Sequence, residues 1–158
     1  MTTGPRPLGL TLGDPAGIGP EICAKMLAQP DLPERPIVLG DPMVLALAAQ
    51  RLGLSFEIET VDNPSDPVDD GAVAVLAAGP ASADVALGEV SRTAGASAFA
   101  AIKTGIEHSL AGNLAGIVTA PINKKAFSVA QVPFPGHTEM LAHYADADVA
   151  MMLANDDI

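Results

Sequence analysis

The chain has 158 residues, 49% of them hydrophobic and 17% charged, a composition that excludes a disordered protein and supplies one core of ordinary size. Its 8 basic and 19 acidic residues give a formal net charge of −11, which argues against a nucleic-acid-binding protein because phosphates would be repelled. A single cysteine, Cys23, excludes an internal disulfide and a cysteine-based zinc site and suits a reducing cytoplasm, where we expect the protein to reside. No apolar run approaches the length of about 18 residues that a transmembrane helix needs, so we expect no membrane partner.

Apolar periodicity and turn residues predict strands and helices that alternate along the chain. Strands are predicted at residues 8–12, 37–39, 56–61, 72–76, 116–119 and 149–153. Helices are predicted at about residues 20–30, 41–51, 90–111 and 123–130, and from residue 137 onward. Residues 77–87 carry no clear signal and are assigned to a loop. This alternation is typical of an α/β protein with a mostly parallel sheet flanked by helices.

Local signals indicate helix ends and buried faces. Asp41, before a proline, is a predicted N-cap, and Gly53 is a predicted C-cap. In the first helix Ile22, Met26 and Leu27 share one face. Two glycines of the long helix either weaken it or allow close packing against a neighbour. These glycines are Gly95 and Gly105, and the predicted buried stripe of the same helix is Ala94, Ala98, Ala101, Ile102, Ile106 and Leu110.

The first motif, residues 13–21 (Gly-Asp-Pro-Ala-Gly-Ile-Gly-Pro-Glu), lies between the first predicted strand and the first predicted helix. Glycines at such a place let the backbone approach a ligand, and free N–H groups at a helix start attract anions. The spacing matches neither the dinucleotide-binding pattern Gly-x-Gly-x-x-Gly nor the phosphate loop. A tight turn between strand and helix is the structural alternative.

The second motif, residues 119–125 (Thr-Ala-Pro-Ile-Asn-Lys-Lys), follows a predicted strand at the end where open α/β sheets place their ligands. Thr119, Asn123 and Lys124 are polar groups of the kind that fix a hydroxyl or a carboxylate. The alternative is a helix N-terminus with solvated lysines.

The third motif, residues 134–139 (Phe-Pro-Gly-His-Thr-Glu), has a rigid turn that places His137 at or near a helix N-cap. A histidine there can donate to substrate oxygens or act as an acid or base near neutral pH, and a capping or surface residue is the alternative. His108 and His143 look like helix-surface positions. The sequence contains no cluster of histidines and carboxylates with metal-ligand spacing.

Together these motifs resemble the PdxA family, the 4-hydroxythreonine-4-phosphate dehydrogenases of vitamin B6 synthesis. The matching segments are residues 10–21, 117–124, 135–139 and 151–153, and their order and separations fit the N-terminal half of that family over essentially all 158 residues. The resemblance implies an isocitrate/isopropylmalate-dehydrogenase-like fold, of which this chain is an incomplete part, with an interdomain boundary near residues 120–136.

The resemblance also implies an activity: oxidation of 4-phosphohydroxy-L-threonine with NAD or NADP, followed by decarboxylation, in a homodimer that requires a divalent metal (Zn, Mg or Mn). His137 and Thr138 match the substrate-binding His-Thr pair of the family, and Asn123 and Lys124 match its Asn-Lys pair. Asp14 and Gly17 match the first loop, which shapes the cleft. The resemblance assigns no catalytic or cofactor-binding residue to this chain.

Members of the family are much longer than this chain. The resemblance places their metal-binding histidines and phosphate-binding residues beyond the position that matches Ile158, so we expect no metal ligand in this chain and no activity from it alone. Two alternatives stay open. One is a related dehydrogenase acting on another phosphorylated hydroxy acid or a dihydrodiol carboxylate; the other is a non-catalytic α/β fragment that is soluble through dimerisation.

Overall fold

The computed structural model describes residues 6–32 and 34–155. Within them are five parallel strands and five helices, which alternate except where two strands (residues 58–61 and 73–77) and two helices (residues 124–129 and 137–145) follow each other directly. The elements are β1 (Leu8–Thr11), α1 (Gly19–Leu27), β2 (Ile37–Gly40), α2 (Pro42–Arg51), β3 (Ile58–Val61), β4 (Val73–Ala77), α3 (Arg92–Leu110), β5 (Gly116–Thr119), α4 (Lys124–Val129) and α5 (His137–Ala145). No helix among the described residues combines the length and the hydropathy that a membrane span requires.

The strands form one sheet in the order β3-β4-β2-β1-β5, and every pair in it is parallel. β1 lies between β2 and β5, with Leu10 opposite Val38 on one side and opposite Val118 on the other. The chain winds away from β1 through β2, β3 and β4 and then returns to the opposite side of β1 to form β5. The strand order therefore reverses between β1 and β5, the place where open α/β sheets hold ligands at the carboxyl ends of their strands.

Alternate strand residues face two apolar layers, as expected for a sheet that is buried on both faces. On one face Val38 and Val75 pack with α1 and α2 residues such as Leu27 and Leu45. On the other face Leu39 packs with residues of β4 and α3. A third apolar cluster joins α3 to α4 and α5; its buried members are Ala98, Ile102, Ile106, Phe127 and Met140. α3 is therefore the support on which both α4 and α5 pack.

Helix ends follow the predicted local signals. The carboxylate of Asp41 accepts the Met43 N–H at 2.9 Å and caps α2, and Gly53 follows that helix with a φ of +67°. The long helix starts at Arg92 rather than at Val90, because the Ser91 hydroxyl accepts the Ala94 N–H at 3.1 Å and forms the N-cap.

The prediction of a strand at residues 149–153 is wrong. This segment has no regular structure, and Met151, Met152 and Leu153 are 76%, 83% and 87% exposed. An apolar run becomes a strand only when a neighbouring strand takes up its backbone hydrogen bonds, and no strand among the described residues pairs with it.

Two predicted core positions are also wrong. Ile22 is 48% exposed although Leu27 of the same helix is fully buried. Leu110 is 60% exposed because the buried stripe of α3 ends at Ile106 and Leu110 is the last residue of the helix. Helical spacing indicates which residues share a face, but the extent of the covering layer decides how far along the helix that face is buried.

Candidate functional site

The first and second motifs meet at the point where the strand order reverses. The backbone N–H of Asp14, after β1, donates to the carbonyl of Pro121, after β5, at 3.0 Å. Gly13 has a φ of +71°, and a side chain there would collide with the same Pro121 carbonyl. Gly13 is therefore required both by its backbone conformation and by the close approach of the second motif.

Asp14 builds the glycine loop, which we define as residues 13–19. The residue is 4% exposed; its carboxylate accepts the Ala16 N–H at 2.9 Å, and its carbonyl accepts the Gly17 N–H at 2.9 Å. Both bonds fold the loop back on itself, as aspartate does in turns. Asp14 and Gly17 thus determine the shape of the loop that forms one wall of the crevice between β1 and β5.

The glycine loop does not have the geometry of a nucleotide cradle. Besides Gly13, Gly19 is in close contact with neighbouring backbone, and a side chain at Gly19 would collide with the carbonyl of Leu12. These glycines allow the chain to pack against itself, and their spacing is not the dinucleotide pattern. The structure therefore favours the tight-turn interpretation of this motif over a nicotinamide-binding one.

Asn123 is the N-cap of α4. Its Oδ1 atom accepts the N–H groups of Lys125 at 2.9 Å and Ala126 at 3.2 Å. That oxygen is engaged in capping, so the Nδ2 group is the donor left for a ligand. Lys124 and Lys125 are exposed, and neither forms an ion pair with another residue that the structure describes. Thr119, the last residue of β5, is half-buried at the same edge.

His137 and Thr138 form the start of α5, directly after the N-cap Gly136. The His137 side chain is half-buried, and its Nε2 atom is buried without a hydrogen-bond partner among the described residues. Burial lowers the pKa of His137 below its ordinary value of 6.5, so the imidazole is neutral at pH 7. A neutral imidazole with an unsatisfied ring nitrogen is suited to a hydrogen bond with a ligand oxygen.

The second and third motifs are neighbours in space. The side chain of Lys124 runs along Gly136, where a Cβ atom would lie 3.8 Å from the Lys124 Cε atom. An open groove beside this contact is lined by Lys124, Ser128, Val132, Pro133, Phe134 and Pro135. No hydrogen bond among the described residues joins Asn123 or Lys124 directly to His137 or Thr138. The structure thus brings Lys124 next to Gly136, the residue that precedes His137 and Thr138.

One polar cluster near the site was missed by sequence reasoning. The Ser82 N–H donates to the Asp41 carboxylate at 2.6 Å, and the hydroxyls of Ser82 and Ser97 lie 3.1 Å apart in the interior. Ser82 lies in the segment that was assigned to a loop without further signal. Ser97 is a polar residue within the small apolar residues of α3, three positions after Ala94. A polar residue at a buried helix position indicates a hydrogen-bond partner inside the protein, and this was the signal that could have revealed the cluster.

Two further buried groups lie in and beside β1. The Thr11 hydroxyl is buried without a hydrogen-bond partner among the described residues, and the Cys23 thiol donates to the Thr11 carbonyl at 3.8 Å. Burial raises the pKa of Cys23 to about 11, which keeps the sulfur protonated and unreactive at neutral pH. Cys23 is therefore a core residue rather than a nucleophile.

The described residues do not fit a metal ion on their own. No group of three or more His, Cys, Asp or Glu side chains converges within residues 6–32 and 34–155. A site for a divalent metal needs such a set of ligands, so no metal-dependent step can be assigned to these residues.

Comparison with known proteins identifies the family. The family of the pyridoxal phosphate biosynthetic protein PdxA matches residues 33–158. A 4-hydroxythreonine-4-phosphate dehydrogenase of Beijerinckia indica is 46% identical over 156 residues, which are 97% of this chain and 46% of that protein. A D-threonate 4-phosphate dehydrogenase of Bordetella bronchiseptica is 43% identical over 141 residues, which are 86% of this chain and 40% of that protein.

Solved structures agree in fold. The crystal structure of a 4-hydroxythreonine-4-phosphate dehydrogenase from Burkholderia phymatum superimposes with a TM-score of 0.86 at 34% identity over 93% of this chain and 46% of that chain. These relatives have an isocitrate/isopropylmalate-dehydrogenase-like fold, which confirms the predicted fold over the part that this chain contains. The chain spans about half the length of the curated relatives it matches. The chain belongs to the PdxA family, because the order of the three motifs, the fold and the sequence identity all match members of that family.

Proposed function

We propose that the complete protein containing this chain oxidises 4-phosphohydroxy-L-threonine with NAD or NADP and that the product then loses CO2, a reaction of pyridoxal phosphate biosynthesis. The observation that carries this proposal is the 46% identity over nearly the whole chain to a relative named for that activity. In the reaction a hydride leaves the carbon that bears the hydroxyl, and the hydroxyl proton leaves to a base. The β-keto acid then decarboxylates because the neighbouring ketone accommodates the electron pair.

The Lys124 cation suits an anionic hydroxy acid, and the Glu139 carboxylate lies beside Gly136 at the same place. Lys124 places a cation without an ion-pair partner among the described residues at the mouth of the groove, in a chain whose formal net charge is −11. Neutral His137 offers its unsatisfied Nε2 atom to a hydroxyl or carboxylate oxygen of the substrate. Asn123 contributes its Nδ2 donor, and Thr138 contributes a hydroxyl in the first turn of α5. These four residues bind and orient the substrate in our proposal.

The remaining expectations belong to the same proposal. The chain is the N-terminal half of a two-domain enzyme, with the interdomain boundary near residues 120–136. The enzyme is a cytoplasmic homodimer, and the ligands of its divalent metal (Zn, Mg or Mn) lie outside this chain. Among the described residues the sheet ends at β5 on one side, and the apolar residues Val118 of β5 and Leu8 of the neighbouring β1 are exposed, which supports further chain or a partner there.

A second substrate is favoured by one specific observation. The relative from Bordetella bronchiseptica, 43% identical over 141 residues, is named for D-threonate 4-phosphate. Both candidate substrates are hydroxy acids that carry a phosphate at position 4 and differ in the amino or hydroxyl group beside the carboxylate. The alternative to any dehydrogenase activity is a non-catalytic α/β fragment.

The test is the formation of NADH or NADPH by the complete protein. Each substrate is supplied with NAD or NADP in the presence of Zn²⁺, Mg²⁺ or Mn²⁺, and we expect turnover with 4-phosphohydroxy-L-threonine. The 158-residue chain alone is the matched control and should form no NADH. A higher kcat/KM for D-threonate 4-phosphate would transfer the assignment to that substrate, and no turnover with any phosphorylated hydroxy acid would refute the dehydrogenase proposal.

The proposed site is tested by His137→Ala in the complete protein. Loss of a hydrogen bond to a charged substrate corresponds to about 1.5–3 kcal/mol, so we expect kcat/KM to fall by about one to two orders of magnitude. His108→Ala is the matched control, because His108 lies on α3 and its recorded side-chain contact is to Asn113 at 3.2 Å. An unchanged kcat/KM in His137→Ala would remove this residue from the site, and the denaturation midpoint of each variant separates a binding effect from a loss of stability.

A further inference from the structure

Residues 79–90, which we call the strap, connect β4 to α3 and cross the carboxyl end of the sheet without forming a helix or strand. At one end of the strap, Ser82 lies beside Gly13 and Pro15 of the glycine loop. Near the other end, the Gly88 N–H donates to the carbonyl of Ala16 at 2.8 Å. The strap therefore contacts the glycine loop at two places, near Pro15 through Ser82 and at Ala16 through Gly88.

The two attachments of the strap differ in strength. Ser82 is 3% exposed and is held by the Asp41 carboxylate at 2.6 Å and by the Ser97 hydroxyl at 3.1 Å. Residues 86–90 are exposed, and within the described chain the Gly88–Ala16 bond is their one hydrogen bond to residues outside the strap. Charge-assisted and buried hydrogen bonds are stronger than a single exposed amide bond, so the Gly88 end opens first.

The glycine loop links the strap to the proposed substrate site. On one side Ala16 accepts the bond from Gly88, and on the other side the Asp14 N–H donates to Pro121 at 3.0 Å. Pro121 lies two residues before Asn123. The strap, the glycine loop and the segment that carries Asn123 are thus connected in series by backbone hydrogen bonds.

We propose that residues 83–90 are a movable cover, closed by the Gly88–Ala16 hydrogen bond, and that this bond couples the cover to the glycine loop and to residues 121–124. Gly88 has a φ of +75°, and no atom lies within 4 Å of the position a Cβ would take. Its backbone conformation rather than packing therefore requires glycine there. This device is independent of the proposed function, because it concerns contacts within the chain and no substrate.

The test uses amide NMR spectra and hydrogen exchange of the 158-residue chain. In the wild-type chain the Gly88 amide should exchange by local opening at a rate that mild denaturant does not change. Gly88→Ala strains the closed backbone, so after correction for intrinsic rates the amide of residue 88 should exchange about tenfold faster. The Gly17 amide, which shares a peptide group with the Ala16 carbonyl, and the amides of residues 122–124 should change in chemical shift.

Two variants serve as controls. Gly88→Asn should behave nearly as the wild-type chain, because asparagine tolerates a positive φ. Gly71→Ala introduces the same strain at a φ of +88°, also with no atom within 4 Å of the new Cβ, but away from the strap, and should leave Gly17 and residues 122–124 unchanged. Unchanged Gly17 resonances in Gly88→Ala, or equal changes in Gly71→Ala, would overturn the proposed coupling. Exchange of the wild-type Gly88 amide only by global unfolding would overturn the movable cover.

Discussion

Gly95 allows α3 and α4 to approach at backbone distance, and its replacement by alanine tests whether this approach positions the site. A Cβ atom at Gly95 would collide with the carbonyl of Ala126 and would lie 2.9 Å from the Cβ of Ala130. Both obstacles belong to α4 and to its C-cap, and Asn123 and Lys124 form the start of the same helix. To fit the methyl group, α4 must move away from α3 by on the order of 1 Å.

Two opposing terms determine the stability of Gly95→Ala. Alanine in a helix interior is more stable than glycine by about 0.5–1 kcal/mol, whereas overpacking costs about 1–3 kcal/mol. The cost is at the upper end here because the Ala126 carbonyl accepts the Ala130 N–H at 2.9 Å and cannot rotate aside. We expect the free energy of unfolding to fall by about 1–2 kcal/mol, and Tm by about 2–8 °C for a chain of this size.

Urea denaturation followed by circular dichroism measures this change. Gly105→Ala is the matched variant in the same helix, because its methyl group meets only side-chain ends, Ile117 Cγ2 at 2.7 Å and Leu39 Cδ1 at 2.8 Å. Those ends can adjust, so Gly105→Ala should lose less stability than Gly95→Ala. Two results would refute the reasoning that backbone contact with α4 requires glycine: a Gly95→Ala variant as stable as the wild type, or a Gly105→Ala variant less stable than Gly95→Ala.

Three further predictions concern single groups. Asn123→Ala should lower the free energy of unfolding by about 1 kcal/mol because α4 loses its cap, and Asn123→Asp should restore it. The pKa of His137 is lower in the folded chain than the ordinary 6.5, so as the pH falls the unfolded chain takes up this proton at a higher pH than the folded chain does. The free energy of unfolding should therefore fall as the pH falls below 6.5. Urea titrations of His137→Gln should show a weaker pH dependence. Cys23, with its pKa raised to about 11 by burial, should react with thiol reagents only upon unfolding, as followed by labelling with and without denaturant.

Each of these predictions has a result that contradicts it. Equal stability of Asn123→Ala and the wild type would show that the cap does not hold α4. An identical pH dependence in His137→Gln would assign the acid sensitivity to other groups. Labelling of Cys23 in the folded chain at the rate of a free thiol would place the sulfur within reach of solvent.

Much of the secondary structure could be predicted because its signals are local. The Asp41 carboxylate caps α2 by accepting the N–H of Met43, two residues away in the chain. Strand β2 is an apolar run between turn residues. The segment 149–153 shows the limit of the same reasoning. Its composition suits a strand as well as that of β2 does, but a strand exists only when another strand pairs with it.

The sequence could nominate candidate site residues but not their arrangement. Motif resemblance selected Asn123, Lys124, His137 and Thr138 by residue type and order. It did not reveal that the Oδ1 atom of Asn123 caps a helix or that Lys124 lies against Gly136. The cap is local to the start of α4, whereas the contact between Lys124 and Gly136 joins two elements and depends on how α4 and α5 pack on α3.

Composition and charge excluded a disordered chain and argued against a nucleic-acid partner, the alternating patterns indicated an α/β protein, and the motifs indicated its family. By itself the sequence determined the alternation of strands and helices, the helix caps and the residue types of the site, because each depends on neighbours within a few positions. Only the tertiary structure decided that the glycines of residues 13–19 serve packing, that Ser82 anchors the strap and that Asp14 bonds to Pro121. The Asp14–Pro121 contact depends on the reversal of strand order between β1 and β5, which brings segments more than 100 residues apart together. The Ser82 anchor depends instead on the pairing of β2 with β4, because Asp41 follows β2 and Ser82 follows β4.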